Sequence, residues 1–152
     1  MSREHPLADA DATERLARGL AASRPPRAVV WLEGSLGAGK STLARAFLRE
    51  LGVAGPIRSP TYTLVERYPV PGGEAAHLDL YRLGAASELD FLGLDALAAE
   101  ATLWLVEWPE RGRGGLPAPD LRIALAVDGV GRRATLVPES DAGARWLAAT
   151  LI

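Results

Sequence analysis

Lys40 is the only lysine in a chain that carries sixteen arginines. It closes the run Gly34-Ser35-Leu36-Gly37-Ala38-Gly39-Lys40-Ser41, which fits the pattern G-x-x-x-x-G-K-[ST]. An ammonium is a compact point charge on a flexible stem. It can reach the β- and γ-phosphates inside a tight backbone loop, where a planar guanidinium does not fit. The glycines let successive N–H groups point at phosphate oxygens, backed by the positive end of the helix that follows. Ser41 supplies the hydroxyl expected on Mg²⁺, with Thr42 beside it in the first turn of that helix. The run predicts binding of a nucleoside triphosphate.

Such a site also needs an acid at the end of a neighbouring buried strand, to hold the metal directly or through water. Two strands are expected to end that way: Leu103 to Val106 delivers Glu107, and Ala75 to Leu78 delivers Asp79. Either carboxylate could instead be a solvated turn residue. Thr61 and Thr63 follow Ser59-Pro60 about twenty residues after Lys40. A loop there can carry a threonine that senses the γ-phosphate and its metal, or it can simply start a strand. Trp108 follows Glu107 and could lie against the nucleotide or pack structurally. His77 reads equally as a hydrogen-bonded core histidine or a catalytic one. Arg82, Arg111 and Arg132 are candidate phosphate clamps.

The elements that must position these groups can be read from the pattern. Asp11 and Glu14 suggest the capped start of a helix that reaches about Ser23, before Pro25-Pro26 breaks it. Ala28 to Leu32 is a short apolar run of the kind found in buried parallel strands, and it leads straight into the glycine loop. Ser41 to Leu51 is helical in pattern, and Gly52 ends it. Strand, glycine loop and helix form the context that the phosphate motif requires. Thr61 to Tyr68 alternates like a strand, and Pro69 to Gly73 reads as a hairpin turn. Ala75 to Leu80 is the next strand, and Glu88 to Glu100 is an amphipathic helix. Leu103 to Val106 is a second strongly buried strand, followed by a Gly/Pro-rich loop over Arg111 to Pro119. Leu121 to Val127 and Arg133 to Val137 flank Asp128-Gly129-Val130-Gly131, a late hairpin. Ala142 to Leu151 closes the chain as a helix.

Composition narrows the function classes. At 152 residues, residues 1–152 are expected to form a single P-loop domain. The net charge of −2 advertises no nucleic-acid surface. The absence of cysteine removes disulfides, thiol catalysis and thiolate metal sites. The chain also has no asparagine and no glutamine. A guanine-reading Asn-Lys-x-Asp element and a water-orienting glutamine of the Ras kind are therefore impossible. No apolar run approaches the roughly 18 residues of a membrane span. The start Met1-Ser2-Arg3-Glu4-His5 lacks a signal core, so a cytoplasmic protein is the default expectation.

Four blocks taken together resemble one family. They are Leu32 to Thr42 around the glycine loop, Ser59 to Val65, His77 to Leu83 (His-Leu-Asp-Leu-Tyr-Arg-Leu), and Leu105 to Pro109 (Leu-Val-Glu-Trp-Pro). They occur in the order of the TsaE (YjeE) family of bacterial P-loop ATPases, which serve tRNA threonylcarbamoyladenosine synthesis. The resemblance runs from about residue 6 to the end. It implies that Lys40 and the loop amides bind the phosphates of ATP and that Ser41 and Glu107 bind Mg²⁺. It further implies that Asp79 is needed for hydrolysis and that Thr61 lies in a switch-like segment. Arg132 would match a late family arginine near the nucleotide. Ser35 stands where the family usually carries aspartate. The implied partners are TsaD and TsaB, of which TsaD transfers the threonylcarbamoyl group, with tRNA contacted only through that complex.

The expected fold is a three-layer α/β P-loop domain with a mainly parallel sheet and antiparallel additions. The expected function is ATP hydrolysis coupled to tRNA modification. Two other readings stay open at this point. A small-molecule or nucleoside kinase would use the same glycine loop, with Glu110 to Gly115 as a short lid. A non-hydrolysing adaptor would use nucleotide binding alone to switch partner affinity.

Overall fold

The two most apolar runs of the chain become adjacent central strands. β2 (Ala28–Glu33) and β5 (Ala101–Glu107) lie parallel, with Val30 opposite Leu105 and Leu32 opposite Glu107. The computed structural model, which describes residues 2–152, builds one seven-stranded sheet around this pair. The remaining strands are β1 (Arg3–Leu7), β3 (Val65–Val70), β4 (Gly73–Asp79), β6 (Leu121–Asp128) and β7 (Gly131–Pro138). Their order across the sheet is β1-β7-β6-β2-β5-β4-β3. The core β6-β2-β5-β4 is parallel throughout, and β1, β7 and β3 pair antiparallel at its flanks.

Strands buried on both faces need cover on both faces. α1 (Ala10–Ala22), α2 (Lys40–Glu50) and α4 (Asp141–Ala149) supply it on one side. Leu16, Leu20, Leu43, Phe47 and Trp146 pack there with Val30, Leu32, Leu103, Leu105 and Ile123. Phe47 and Trp146 meet edge to face at 6.2 Å, and the Trp146 Nε1–H donates to Leu20 O at 2.9 Å. The opposite side is covered by a 3-10 segment, Ala86–Leu92, and by α3 (Leu94–Glu100). Leu89 and Leu97 pack there against Leu78, Trp104 and Val106. Among the described residues no helix is long and apolar enough to cross a membrane.

Four local readings change. First, the opening helix is capped by Asp9, whose side chain accepts the N–H of Ala12; Asp11 lies inside the first turn. Second, Glu88 to Glu100 is not one helix. Gly93 takes left-handed φ of 67° and separates the 3-10 segment from α3, although Leu89 and Leu97 still reach the core. Third, β3 starts at Val65 instead of Thr61, because Leu64 turns the chain with φ of 68°. Fourth, β1 is an added edge strand. Only Leu7 of its five residues is buried, and its partner β7 is more than 120 residues away in sequence.

Asp120 fastens the start of the sheet. Its carboxylate accepts the N–H of Val29 at 2.9 Å through Oδ2 and the Ser140 hydroxyl at 2.7 Å through Oδ1. Its own N–H donates to Val29 O, and its carbonyl accepts from Glu139 N. Ser140 in turn caps α4 by accepting the N–H of Gly143. One carboxylate thus ties β2, β6 and α4 together. Asp120→Ala is expected to cost about 2 kcal/mol of stability, the scale of hydrogen bonds to a charged group. Denaturant titration would read this as a lowered midpoint, and a loss under half that size would show the contact to be redundant.

Candidate functional site

β2 ends at Glu33, and the chain must reverse into α2 at Lys40 within six residues. Glycine makes this possible at two places. Gly34 has φ of 145°, and a Cβ there would lie 2.3 Å from Leu125 O of neighbouring β6. Gly39 has φ of 108° and forms the residue before the first turn of α2. The loop therefore sits at the carboxyl end of the parallel strands, with the helix N-terminus behind it.

Lys40 is buried at 5% exposure. Its ammonium donates to Gly34 O at 2.5 Å and Ser35 O at 2.9 Å, and it lies 4.3 Å from the centre of the Trp108 ring. Burial lowers its pKa from the ordinary lysine value, opposed by the charges of Glu107, Asp79 and Glu110. Ser41, one residue on, donates its hydroxyl to Glu107 Oε1 at 2.9 Å and lies 3.3 Å from Oε2.

The two acids arrive on adjacent parallel strands. Asp79 is in register with Glu107 across β4 and β5, so both carboxylates stand at one level of the sheet. Side chains two residues apart on a strand share a face. His77, Asp79 and Glu107 therefore lie on the α2 face with Leu103 and Leu105. Glu107 is 2% exposed, and its Oε2 is 2.7 Å from His77 Nε2. Asp79 is 6% exposed and accepts the N–H of Tyr81 at 3.0 Å. Burial pushes the Asp79 carboxyl above the usual aspartate range and the charge of Glu107 acts in the same sense, while the Tyr81 N–H and Lys40 work against it.

Two residues other than glycine take positive φ in the described chain, and both border this site. Trp108 has φ of 57°, which turns the chain directly after Glu107 and lays the indole over Lys40 and against the Tyr81 ring, 4.9 Å away. Leu64 accepts the N–H of Asp79 at its carbonyl, at 3.0 Å. Such backbone costs on the order of 1–3 kcal/mol per residue and persists where its surroundings hold it.

These groups enclose a cavity of about 410 Å³. Leu36, Gly37, Gly39, Lys40, Ser41, Thr42, Thr61, Asp79, Glu107 and Trp108 all line it, so the structure brings most of the expected residues to one place. Arg82 also lines it, with its guanidinium over the exposed Tyr62 ring. Arg111 lies over the Tyr81 and Trp108 rings at 5.1 and 5.7 Å. Thr63 does not line the cavity; its hydroxyl donates to Glu66. Ala38 and Arg132 line a second cavity of about 200 Å³, which shares Gly37, Gly39 and Thr42 with the first. Its other walls are Asp9, Ala10, Thr13, Val130 and Gly131, from α1 and the β6–β7 turn. The Arg132 guanidinium donates to Gly37 O at 3.1 and 3.3 Å, which ties that turn to the loop. Sequence reasoning missed the α1 wall and Tyr81. No local signal marks the α1 wall, since three distant segments make that cavity.

The donor set suits a small, hard cation that brings other ligands with it. Among the described residues no three His, Cys, Asp or Glu side chains converge as a metal cage. Ser41 and Glu107 offer a hydroxyl and a carboxylate, and Mg²⁺ characteristically takes one or two such oxygens and fills its shell with phosphates and water.

A glycine loop between a buried parallel strand and a helix, with an acid at the end of the adjoining parallel strand, defines a P-loop nucleotide-binding protein. The family model described as threonylcarbamoyl adenosine biosynthesis protein TsaE matches residues 7–135, and the chain belongs to that family. It is 39% identical over 121 residues to the tRNA threonylcarbamoyladenosine biosynthesis protein TsaE of Haemophilus influenzae, covering 80% of this chain and 77% of that one. The TsaE protein of Streptomyces coelicolor is 35% identical over 126 residues, covering 80% and 84%. The crystal structure of Bacillus subtilis YdiB superposes with a TM-score of 0.82 at 26% identity, covering 97% of this chain and 93% of that one.

The raised Asp79 pKa gives a sign to the pH dependence of stability. The native state holds the Asp79 proton more tightly than the unfolded chain does, so stability falls as pH rises from the ordinary aspartate range through the raised value. Asp79→Asn removes that loss. The nucleotide-free variant is expected to melt above the parent at neutral pH, and the gap should close as pH falls toward the ordinary aspartate range. Thermal unfolding across a pH series checks this; parallel curves for the two proteins would contradict it.

Proposed function

We propose that this chain is the Mg²⁺-dependent ATPase of tRNA threonylcarbamoyladenosine biosynthesis, acting in the cytoplasm on a complex of TsaD and TsaB. Membership of the TsaE family supports the pathway. The observation that carries the ATPase reading is the convergence of Lys40, Ser41, Asp79 and Glu107 on one cavity at the glycine loop.

In this reading the triphosphate lies along the loop amides from Gly34 to Thr42. Its arrival draws the Lys40 ammonium from the carbonyls of Gly34 and Ser35 onto the β- and γ-phosphates. The adjoining cavity behind Arg132 takes the nucleoside, walled by Ala10, Thr13 and Val130. Ser41 and Glu107 hold Mg²⁺, which when bound neutralises charge on the triphosphate. Asp79, held by the Tyr81 N–H, orients the water that attacks the γ-phosphorus. Burial raises its pKa, so this carboxyl holds a proton more readily than an exposed aspartate does. Trp108 covers Lys40 and keeps bulk water from the phosphates. Thr61 faces the same cavity from the segment that Leu64 tethers to Asp79, so occupancy can be felt by residues 58–64. The product is ADP and phosphate. TsaD and TsaB would read the change, and tRNA would be contacted only through them, which suits a chain of net charge −2.

The test is threonylcarbamoyladenosine formation on tRNA by purified TsaD and TsaB with the threonylcarbamoyl donor, with and without this protein and ATP. Many turnovers per complex are expected only when both are present. Lys40→Ala is expected to lower turnover by about 10²-fold or more. Glu107→Ala should lose Mg²⁺-dependent hydrolysis while retaining metal-free nucleotide binding. Normal hydrolysis by both variants would overturn the site assignment. Equal support by ATP and by a non-hydrolysable analogue would overturn the ATPase reading.

A further inference from the structure

His77 is fully buried, at 0% exposure, one strand away from the phosphate loop. Its side chain shares the α2 face of the sheet with Asp79 and Glu107. Among the described residues only one of its ring nitrogens has a partner: Nε2 meets Glu107 Oε2 at 2.7 Å, while Nδ1 is buried with none. A carboxylate oxygen accepts, so a nitrogen at hydrogen-bond distance from it must carry the proton. The pairing therefore selects the tautomer with the proton on Nε2, which donates to Glu107.

Glu107 Oε1 is turned toward the Ser41 hydroxyl, and Oε2 is shared between His77 and a longer approach of Ser41. A carboxylate at the end of a β-strand can rotate about its last torsion, which is broad and roughly two-fold. Among the described residues, the imidazole is the hydrogen-bond partner that holds it from the sheet side. We propose that His77 is a positioning residue. Its Nε2–H holds Oε2 of Glu107 so that Oε1 and the Ser41 hydroxyl are presented together to the divalent cation. This inference rests on the ATPase reading above and adds a residue that acts through Glu107 without touching the nucleotide. Partners of this kind typically govern metal affinity by 10- to 100-fold.

Three substitutions separate positioning from mere packing. A glutamine amide nitrogen falls close to where Nε2 of histidine lies, so His77→Gln keeps a donor for Glu107. His77→Asn places its donor at the level of Nδ1, too short to reach, and His77→Phe has none. ATP binding is titrated with excess Mg²⁺ and with EDTA, followed by intrinsic tryptophan fluorescence, and the Mg²⁺ dependence of the complex is extracted. The expected result is that all three bind metal-free ATP within about twofold of the parent. The Mg²⁺ half-saturation should rise roughly 10-fold or more in Phe and Asn and stay within about threefold in Gln. Equal Mg²⁺ dependence in all four proteins overturns the inference while leaving the ATPase reading intact. Loss of metal-free binding in Phe and Gln alike also overturns it, since that pattern marks a purely structural role. Failure of the parent to bind ATP would remove the reading beneath both. Because the chain has only two histidines, ¹⁵N-histidine NMR of the parent gives an independent check that needs no variant to fold. An Nε2–H imidazole is expected at His77, and an Nδ1–H tautomer would overturn the proposal.

Discussion

The rest of the structure depends on burying four polar side chains at one point. Lys40, His77, Asp79 and Glu107 are each no more than 6% exposed. Removing an isolated charge from water costs several kcal/mol even after relaxation, so such a cluster survives only if its members satisfy one another. Two loop carbonyls take the ammonium, a hydroxyl and an imidazole take Glu107, and a backbone N–H takes Asp79. What is not balanced is the charge. One ammonium faces two carboxylates, and burial, with the charge of Glu107 adding to it, raises the Asp79 pKa. The cluster is therefore suited to positive charge that arrives with an anion able to satisfy Lys40 and the loop amides. A magnesium–triphosphate complex has that combination.

The sheet makes this cluster possible by ending three strands at one level. Leu32 and Asp79 both lie opposite Glu107, from β2 on one side and β4 on the other. A slip of one residue in β5 would send Glu107 to the opposite face, toward Leu78, Leu89 and Leu97. The register of the core strands therefore fixes the site as firmly as it fixes the fold. The devices that hold the two ends of the sheet are different in kind. Asp120 fastens the start of β2 through hydrogen bonds, and the left-handed turn at Trp108 closes the end of β5 by bending the backbone.

Much of this was legible in the chain because it is local. The glycine loop, its lysine and its serine are contiguous, and the buried strands announce themselves as uninterrupted apolar runs. Asp79 and Glu107 were visible as acids at strand ends. What local sequence could not show is what depends on distant pairing. β1 has a single buried residue and exists because β7 offers an edge. The apolar spacing from Leu89 to Leu97 fits a continuous helix, yet Gly93 in the middle takes the left-handed form that divides it. Asp9 and Asp11 are both plausible caps, and where the helix begins relative to the sheet decides between them. The second cavity draws on residues 9–13, 37–42 and 130–132 and has no signature in any of them. His77 showed two faces in sequence, core or chemical. The structure shows a buried residue whose side-chain partner, among the described residues, is Glu107.

The lone lysine has a consequence for the chemistry of this protein as a reagent. Among the side chains of the sequence, amine-directed acylation, carbamylation or cross-linking has one target, Lys40. Lys40 lies beneath an indole with its nitrogen held by two carbonyls. Any lysine adduct found on this protein thus reports that the loop has opened, and it simultaneously blocks the loop. The extent of adduct on Lys40, located by peptide mapping, becomes a single-residue measurement of how often the site is exposed.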